Sequence, residues 1–232
     1  MGKNFNQLGQ QIGTPVDNWC APNVPLQESL QGLYCRVEPL NIKQHAQQLF
    51  DAMQLDAQGV LWTYLPYGPF TNLAQYSLLL EKLEQQPDQQ FYVIVDLSDE
   101  QAVGVAAYLR INPDAGSIEI GHLCYSPLLQ KTIMATEAMY LMMAKVFNAG
   151  YRRYEWKCNA LNQASKSSAI RLGFQFEGIF RQAQVVDGCN RDTAWFSIID
   201  SEWMALKNKF ETWLAAFNFD DQGQQVKSLQ EC

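Results

Sequence analysis

The sequence is poor in histidine, has no paired cysteines and lacks any long apolar run. It contains two histidines and six scattered cysteines with no C-x-x-C spacing, so neither a zinc site nor a disulfide framework is indicated. No stretch of about 18 apolar residues is present, which argues against a membrane-spanning helix. Because hydrophobic residues make up 47% of the chain and charged residues only 18%, the chain is too apolar for a disordered protein. We therefore expect a soluble globular protein without a bound metal.

Positive charge is also scarce. The chain has 17 lysines and arginines against 24 aspartates and glutamates, a net charge of −7, and no basic cluster, so we expect neither a nucleic-acid nor a membrane partner. An acidic surface suits a cationic or amine-bearing substrate. The N-terminal residues lack the apolar stretch of a secretory signal, which predicts a cytoplasmic protein with reduced thiols.

The length favours one domain with short extensions. Residues 1–31 contain several prolines and glycines and little periodicity, which predicts an extended N-terminal arm. Residues 32–218 are predicted to form a single domain, and residues 219–232 a polar C-terminal tail. The arm carries isolated apolar residues such as Trp19, so we expect it to dock on its own domain or on a second copy, and a homodimer is possible.

Hydrophobic periodicity predicts about seven strands and five helices. The strands are expected at 33–40, 91–95, 102–111, 117–125, 153–158, 176–186 and 193–199, and the helices after Asn41, at 72–86, at 133–148, between Asn162 and Gly173, and at 202–217. This order mixes hairpins with one crossover. It predicts an α+β (mixed α/β) fold with a central sheet of about seven strands flanked by helices.

The stretch from Gly116 to Phe174 carries the most information about function. A strand that ends near Tyr125 leads through a short polar connection into a helix that begins near Ile133. The free backbone amides of a helix N-terminus form a ready anion site. Since the next strand ends just before Asn162, we expect two polar strand ends to face the same helix start.

These residues resemble the GNAT superfamily of acetyl-coenzyme A dependent N-acetyltransferases, specifically its RimJ/RimL-like branch. The resemblance covers roughly residues 33 to 203. Its motifs, which are specific through their order and spacing, are Ser117-Ile118-Glu119-Ile120-Gly121, Ala135-Thr136-Glu137-Ala138, Asn162-Gln163-Ala164-Ser165 with Leu172-Gly173-Phe174, and Phe176-Glu177-Gly178.

The resemblance implies a mostly antiparallel sheet in which the strands holding Glu119 and Asn159 splay apart around the acyl-pantetheine arm of acetyl-coenzyme A, the cosubstrate. No metal is implied. The cofactor-binding residues would be Leu123, Tyr125, Gln130, Lys131, Thr132, Ile133, Met134, Ala135 and Asn162. Among them, a backbone amide near Leu123 to Tyr125 would polarise the carbonyl, and the residues from Gln130 to Ala135 would hold the pyrophosphate.

One position departs from the family's phosphate loop, because Ile133 replaces the first glycine of its usual pattern. A β-branched residue restricts the backbone and crowds the approach of a phosphate. Ile133 nevertheless keeps its N–H, which is the group that binds, and Lys131 adds a positive charge nearby. We therefore expect a working cofactor site.

Several candidates also have a purely structural interpretation. Glu119 is either a solvated outward residue of its strand or the base that deprotonates an incoming ammonium, directly or through a water. Asn162 and Ser165 fit helix capping, while the resemblance places Ser165 near the sulfur as a catalytic proton donor, with Tyr125 or Tyr140 as alternatives. His122 lies an odd number of residues from Glu119, so a regular strand would turn the two to opposite faces unless a bulge intervenes.

The leading hypothesis is a cytoplasmic N-acetyltransferase that transfers acetyl from acetyl-coenzyme A directly to a primary amine, either a small molecule or a protein N-terminus. In this mechanism Glu119 and Ser165 are the catalytic residues. The alternative is a non-catalytic acyl-coenzyme A binding or protein-interaction module on the same fold, and Ile133 is the feature that favours it.

Overall fold

In the computed structural model, which describes residues 3–232, the chain forms ten strands and five α-helices. The strands are β1 (Asn4–Phe5), β2 (Gln11–Ile12), β3 (Leu30–Gln31), β4 (Cys35–Pro39), β5 (Gln90–Asp96), β6 (Gln101–Asn112), β7 (Ser117–Tyr125), β8 (Arg153–Asn159), β9 (Gln175–Val186) and β10 (Cys189–Ile199). The helices are α1 (Ile42–Gln54), α2 (Leu73–Glu84), α3 (Ile133–Asn148), α4 (Gln163–Arg171) and α5 (Asp200–Leu214), with short 3₁₀ turns at Val60–Trp62 and Ala216–Asn218.

Eight of the strands form one sheet in the order β3-β4-β5-β6-β7-β8-β10-β9. Every neighbouring pair is antiparallel except β7 and β8, which are parallel. The predicted α+β class and the mostly antiparallel sheet are therefore confirmed. The eighth strand is β3, at the end of the N-terminal arm, where Leu30 pairs with Val37; β1 and β2 form a separate two-stranded ribbon.

Helices cover both faces of this sheet and enclose two apolar cores. On one face α1 and α2 pack over β4, β5 and β6 around side chains such as Leu49 and Val93. On the other face α3 and α5 enclose the larger core, in which the Tyr108 hydroxyl donates to the Met142 carbonyl at 2.8 Å. Among the helices of residues 3–232, none has the length and apolar character to cross a membrane.

A buried carboxylate fixes the loop between β3 and β4 to the first turns of α3. Glu137 is 3% exposed and accepts backbone N–H groups from Leu33 at 2.7 Å, Tyr34 at 2.8 Å and Cys35 at 2.9 Å. Gly32 lies against the same carboxylate, where a Cβ atom would collide with it. The edge of the sheet and the start of α3 are thereby joined by one side chain.

Replacing Glu137 with glutamine should therefore destabilise the fold without changing its shape. The amide would offer one acceptor oxygen and would turn an NH₂ group toward backbone donors, which leaves buried groups unsatisfied. We expect the free energy of unfolding to fall by about 2 to 4 kcal/mol, measured by denaturant melts. Glu81→Gln, at an exposed position of α2, is the matched control. A loss below about 1 kcal/mol would show that other contacts hold the loop.

The N-terminal arm lies along the domain and contacts it at several points. Gln27 donates through Nε2 to the Phe91 carbonyl at 2.8 Å, and Gln90 donates to the Pro25 carbonyl at 2.8 Å. The Trp19 ring covers the turn between β6 and β7, 5.7 Å from the guanidinium of Arg152. The last part of the arm thus joins the sheet through side-chain and backbone contacts.

The C-terminal tail, residues 219–232, is packed onto the domain although its composition is polar. Leu229 is 2% exposed and belongs to the larger core. The buried Asn218, just before the tail, donates through Nδ2 to the carbonyls of Trp213 at 3.0 Å and Lys227 at 3.1 Å. The indole N–H of Trp213 donates to the Gln225 Oε1 at 2.8 Å. These contacts place the tail beside α5 and the end of α4.

Candidate active site

The two parallel strands diverge after a short paired stretch. β7 and β8 are in register only from Ser117 opposite Arg153 to Ile120 opposite Trp156. Beyond Ile120, β7 continues to pair with β6 on its other side, as far as Tyr125 opposite Gly104. The backbone groups of residues 121–125 that point toward β8 are therefore not used by that ladder.

A cavity of about 1010 Å³ lies at this divergence. Nine of the eleven predicted site residues line it: Leu123, Tyr125, Gln130, Lys131, Thr132, Ile133, Ala135, Asn162 and Ser165. Met134 and Glu119 do not. Met134 packs against the larger core, where its carbonyl faces the Cys35 thiol at 3.7 Å.

One end of the cavity is formed by the N-terminus of α3. Thr132 is the N-cap: its hydroxyl accepts from the Ala135 N–H at 3.2 Å and donates to the Leu129 carbonyl at 2.7 Å. Within residues 3–232, the amides of Ile133 and Met134 have no hydrogen-bond partner. Because α3 is 16 residues long, its dipole and these amides favour an anion at this position.

The opposite wall is the start of α4. Asn162 is its N-cap and accepts the Ser165 N–H at 3.0 Å. The Ser165 hydroxyl accepts the indole N–H of Trp156 at 3.0 Å. Both side chains therefore have structural partners while they line the cavity.

The two tyrosines weighed as proton donors differ in their surroundings. Tyr125 lines the cavity, and its buried hydroxyl has no hydrogen-bond partner within residues 3–232. Burial raises the pKa of Tyr125, so this O–H group remains protonated at neutral pH. Tyr140 instead donates to the Glu211 carboxylate of α5 at 2.9 Å and does not line the cavity. An unsatisfied O–H group fits a ligand with an acceptor atom or a departing anion.

A β-bulge in β7 turns His122 toward the face that carries Glu119. Gly121 pairs with Ala107 and Cys124 with Val105, so two residues of β7 oppose one of β6, and His122 has a left-handed φ of 49°. A regular strand would point the side chains of Glu119 and His122 to opposite faces of the sheet. Here the bulge shifts the alternation, so both side chains lie on the same face.

The His122 ring is held between aromatic neighbours. It stacks on Tyr67 with ring centroids 5.7 Å apart and contacts Phe91, and its Nδ1 lies 2.9 Å from the Tyr67 hydroxyl. Burial, helped by the positive charge of Lys157, lowers the pKa of His122 to about 4. The imidazole is therefore neutral at physiological pH.

Glu119 is a buried ion-paired residue and not a solvated one. It is 1% exposed, and its Oε2 accepts from Arg110 Nε at 2.7 Å and lies 3.5 Å from Lys157 Nζ. Both cations also lie over the Trp195 indole, at 4.7 and 5.5 Å from the ring centre. Burial raises the pKa of Glu119, and the two cations oppose that shift. The result is a carboxylate of increased basicity next to the divergence of the strands.

Sequence reasoning missed several residues of the cavity. Asp56 and Tyr64, from the connection between α1 and α2, line one side, and the Tyr64 hydroxyl donates across to the Leu161 carbonyl at 3.3 Å. At the other end the lining comes from Arg171, Trp213 and the C-terminal tail. None of these has a local sequence signal, because each reaches the cavity through tertiary packing.

No cluster of three histidine, cysteine, aspartate or glutamate side chains within residues 3–232 could hold a metal ion.

Comparisons with known proteins agree with this geometry. Residues 36–175 match the family described as acetyltransferase (GNAT) domain. The solved structure of a GCN5-related N-acetyltransferase from Brucella melitensis is 44% identical, with a TM-score of 0.91 over 93% of this chain and 98% of that one. A structure from Chromobacterium violaceum ATCC 12472, described as a probable acetyltransferase of the GNAT family, is 38% identical with a TM-score of 0.78, over 83% and 97% of the two chains.

A curated relative is the ribosomal-protein-serine acetyltransferase of Escherichia coli (strain K12). It is 28% identical over 105 residues, which are 45% of this chain and 59% of that protein. The match therefore spans less than two thirds of the relative. It agrees with the resemblance to the RimJ/RimL-like branch.

Replacing Ile133 with glycine tests the anion site at the start of α3. Because the Ile133 side chain lines the cavity while its amide is free, removing the side chain should leave the affinity for acetyl-coenzyme A unchanged or increase it. Isothermal titration calorimetry measures this affinity directly. Met134→Gly is the control for a glycine in the same helical turn, since it also keeps its backbone amide and its side chain packs against the larger core. A tenfold loss of affinity in Ile133→Gly alone would contradict this assignment.

Proposed function

The chain belongs to the GNAT acetyltransferase family and is an N-acetyltransferase, and we propose that it transfers acetyl from acetyl-coenzyme A directly to a primary amine. The observation that carries the proposal is the cavity between the diverging strands β7 and β8, which is lined at one end by the N-terminus of α3. An acyl-pantetheine arm that leads to a pyrophosphate suits such a cavity. Acetyl-coenzyme A supplies the activated acyl group.

The residues around the cavity divide into three groups by their chemistry. The amides of Ile133 and Met134, with Lys131 and Gln130, would hold the pyrophosphate. The buried Tyr125 O–H group, which lacks a partner within residues 3–232, would protonate the thiolate as it leaves, with Ser165 as the second donor within the cavity. Unpaired backbone amides between Leu123 and Tyr125 would stabilise the oxyanion of the transition state.

Glu119 is proposed as the base that removes the proton from the amine, acting through a water. Its Oε2 is occupied by the two cations, but its Oε1 makes no hydrogen bond within residues 3–232 and lies next to Gly121, beside the bulge. Burial raises the pKa of Glu119, which increases its affinity for a proton. The neutral His122 is the second candidate, because its Nε2 makes no hydrogen bond within the same residues.

The acceptor end of the cavity is proposed to be the side lined by Asp56 and Tyr64. A carboxylate there suits an incoming ammonium group. The similarity to a ribosomal-protein-serine acetyltransferase favours a protein N-terminus over a small amine.

We also propose that the protein acts in the cytoplasm, since its six cysteines are all free thiols. We further propose that it forms a homodimer, which light scattering would test.

A screen of peptides and small amines with acetyl-coenzyme A tests the proposed function. Release of coenzyme A thiol in proportion to acetylated amine is the expected result. Binding of acetyl-coenzyme A without turnover on any acceptor would instead favour a non-catalytic binding module, the alternative that Ile133 in the phosphate loop supports.

Replacing Glu119 with glutamine should lower the rate of acetyl transfer by about 10²-fold. The loss should grow as the pH falls from about 9 to 6, because the fraction of protonated amine that needs a base increases. The rates of the wild type, Glu119→Gln and His122→Asn as functions of pH provide the measurement. Glu155→Gln is the control, because it removes the carboxylate opposite Glu119 on β8 that is paired with Arg153 and not with Arg110 or Lys157.

Two outcomes would move the base away from Glu119. A ratio of variant to wild-type rate that stays constant with pH would leave Glu119 a structural role only. A large loss of rate in His122→Asn with little change in Glu119→Gln would assign the proton transfer to the imidazole. The rate should then fall at acidic pH as His122 becomes protonated, near its pKa of about 4.

A further inference from the structure

The end of the cavity beyond the start of α3 is lined by residues that no phosphate-loop motif contains. Arg171, at the end of α4, lines it together with Trp213 of α5 and with Phe219, Gly223, Gln224 and Gln225 of the C-terminal tail. This end is therefore built from segments about 40 to 60 positions apart in the chain, brought together by packing.

Arg171 carries a charge that no carboxylate balances. Its Nη1 donates to the Thr136 hydroxyl at 3.1 Å, and its guanidinium lies over the Trp213 indole, 5.2 Å from the ring centre. No acidic side chain within residues 3–232 comes within salt-bridge distance of it. The half-buried Arg153, by contrast, is paired with two carboxylates, Glu155 and Glu177.

Burying the Arg171 guanidinium without an opposite charge beside it is unfavourable. Burial lowers the pKa of Arg171, which means that the folded protein disfavours its charge. A half-buried cation of this kind, with several free N–H donors beside a cavity, is suited to an anionic ligand that arrives from solvent.

Packing fixes Arg171 next to the anion site of α3. Thr136 stands one turn after Ile133 on the same helix, so the guanidinium is held against the turns that carry the free amides. The Trp213 indole packs against the Arg171 guanidinium, and its N–H group donates to Oε1 of Gln225 in the tail at 2.8 Å. Gln230 of the tail donates to the Arg171 carbonyl at 3.4 Å.

We propose that Arg171 binds a phosphate group of the acyl-coenzyme A, in a nucleotide-binding end of the cavity whose wall is the C-terminal tail. The inference rests on the proposed function, because it requires a coenzyme A thioester as the ligand. Two phosphate sources share this chemistry, the 3′-phosphate and the pyrophosphate. Both are dianionic groups that a guanidinium binds with two parallel hydrogen bonds.

Binding of coenzyme A, 3′-dephospho-coenzyme A and pantetheine to the full chain tests the proposal without any need for turnover. Calorimetry or thermal shift would compare the wild type with Arg171→Gln, Arg171→Lys and Lys166→Gln. Lys166 is the matched control, since it is another cation of α4 that does not line the cavity.

We expect Arg171→Gln to bind coenzyme A about 10- to 100-fold more weakly, Arg171→Lys to recover part of that loss, and Lys166→Gln to match the wild type. Pantetheine, which has no phosphate, should bind Arg171→Gln and wild type equally. If wild type and Arg171→Gln bind 3′-dephospho-coenzyme A with equal affinity, Arg171 contacts the 3′-phosphate. If Arg171→Gln loses as much affinity for 3′-dephospho-coenzyme A as for coenzyme A, Arg171 contacts the pyrophosphate.

Two results would overturn the proposal. One is an affinity of Arg171→Gln for coenzyme A within about threefold of the wild type. The other is an equal loss for pantetheine and coenzyme A, which would show that Arg171 only supports Thr136 and the helix start. A wild-type protein that binds none of the three ligands would instead contradict the proposed function itself.

Discussion

The short parallel pairing of β7 with β8 is the constraint on which the site depends. Two parallel strands in one sheet require a crossover, and here that crossover is α3, whose N-terminus follows directly from the end of β7. Because pairing stops at Ile120 opposite Trp156, the strands open at the same edge where α3 begins. The cavity, and the backbone groups of residues 121–125 that have no partner in β8, are consequences of this one geometry. Antiparallel pairing throughout would have left no such opening.

Charge inside the fold is arranged around this opening. Glu137 uses backbone donors alone to hold the β3–β4 loop against α3, whereas Glu119 is balanced by the cations Arg110 and Lys157. Arg171 has neither kind of partner within residues 3–232. Since buried charges are costly unless paired, Arg171 is the one of these three charges for which we propose a phosphate group of the ligand as the partner.

Periodicity was enough to predict the long elements, because each buries a regular face, and the family motifs placed nine of the residues that line the cavity. Other features depend on contacts that no local pattern encodes. The two-residue strand Leu30–Gln31 is too short for alternation to be visible, and Leu229 is a single buried residue in a polar tail. Glu137 meets donors more than 100 positions away, so no local pattern indicated its role in the fold. The bulge at His122 did have a signal, since Gly121 inside a strand favours such irregularities.

Acetyl-coenzyme A is proposed to occupy the opening between β7 and β8, with its pyrophosphate on the first turn of α3. Amide hydrogen exchange, measured by mass spectrometry with and without acetyl-coenzyme A, tests this location directly. We predict that slower exchange is confined to residues 121–136, to α4 and to the adjoining part of the C-terminal tail. Unchanged exchange at saturating ligand, or protection centred on another part of the sheet, would contradict the account.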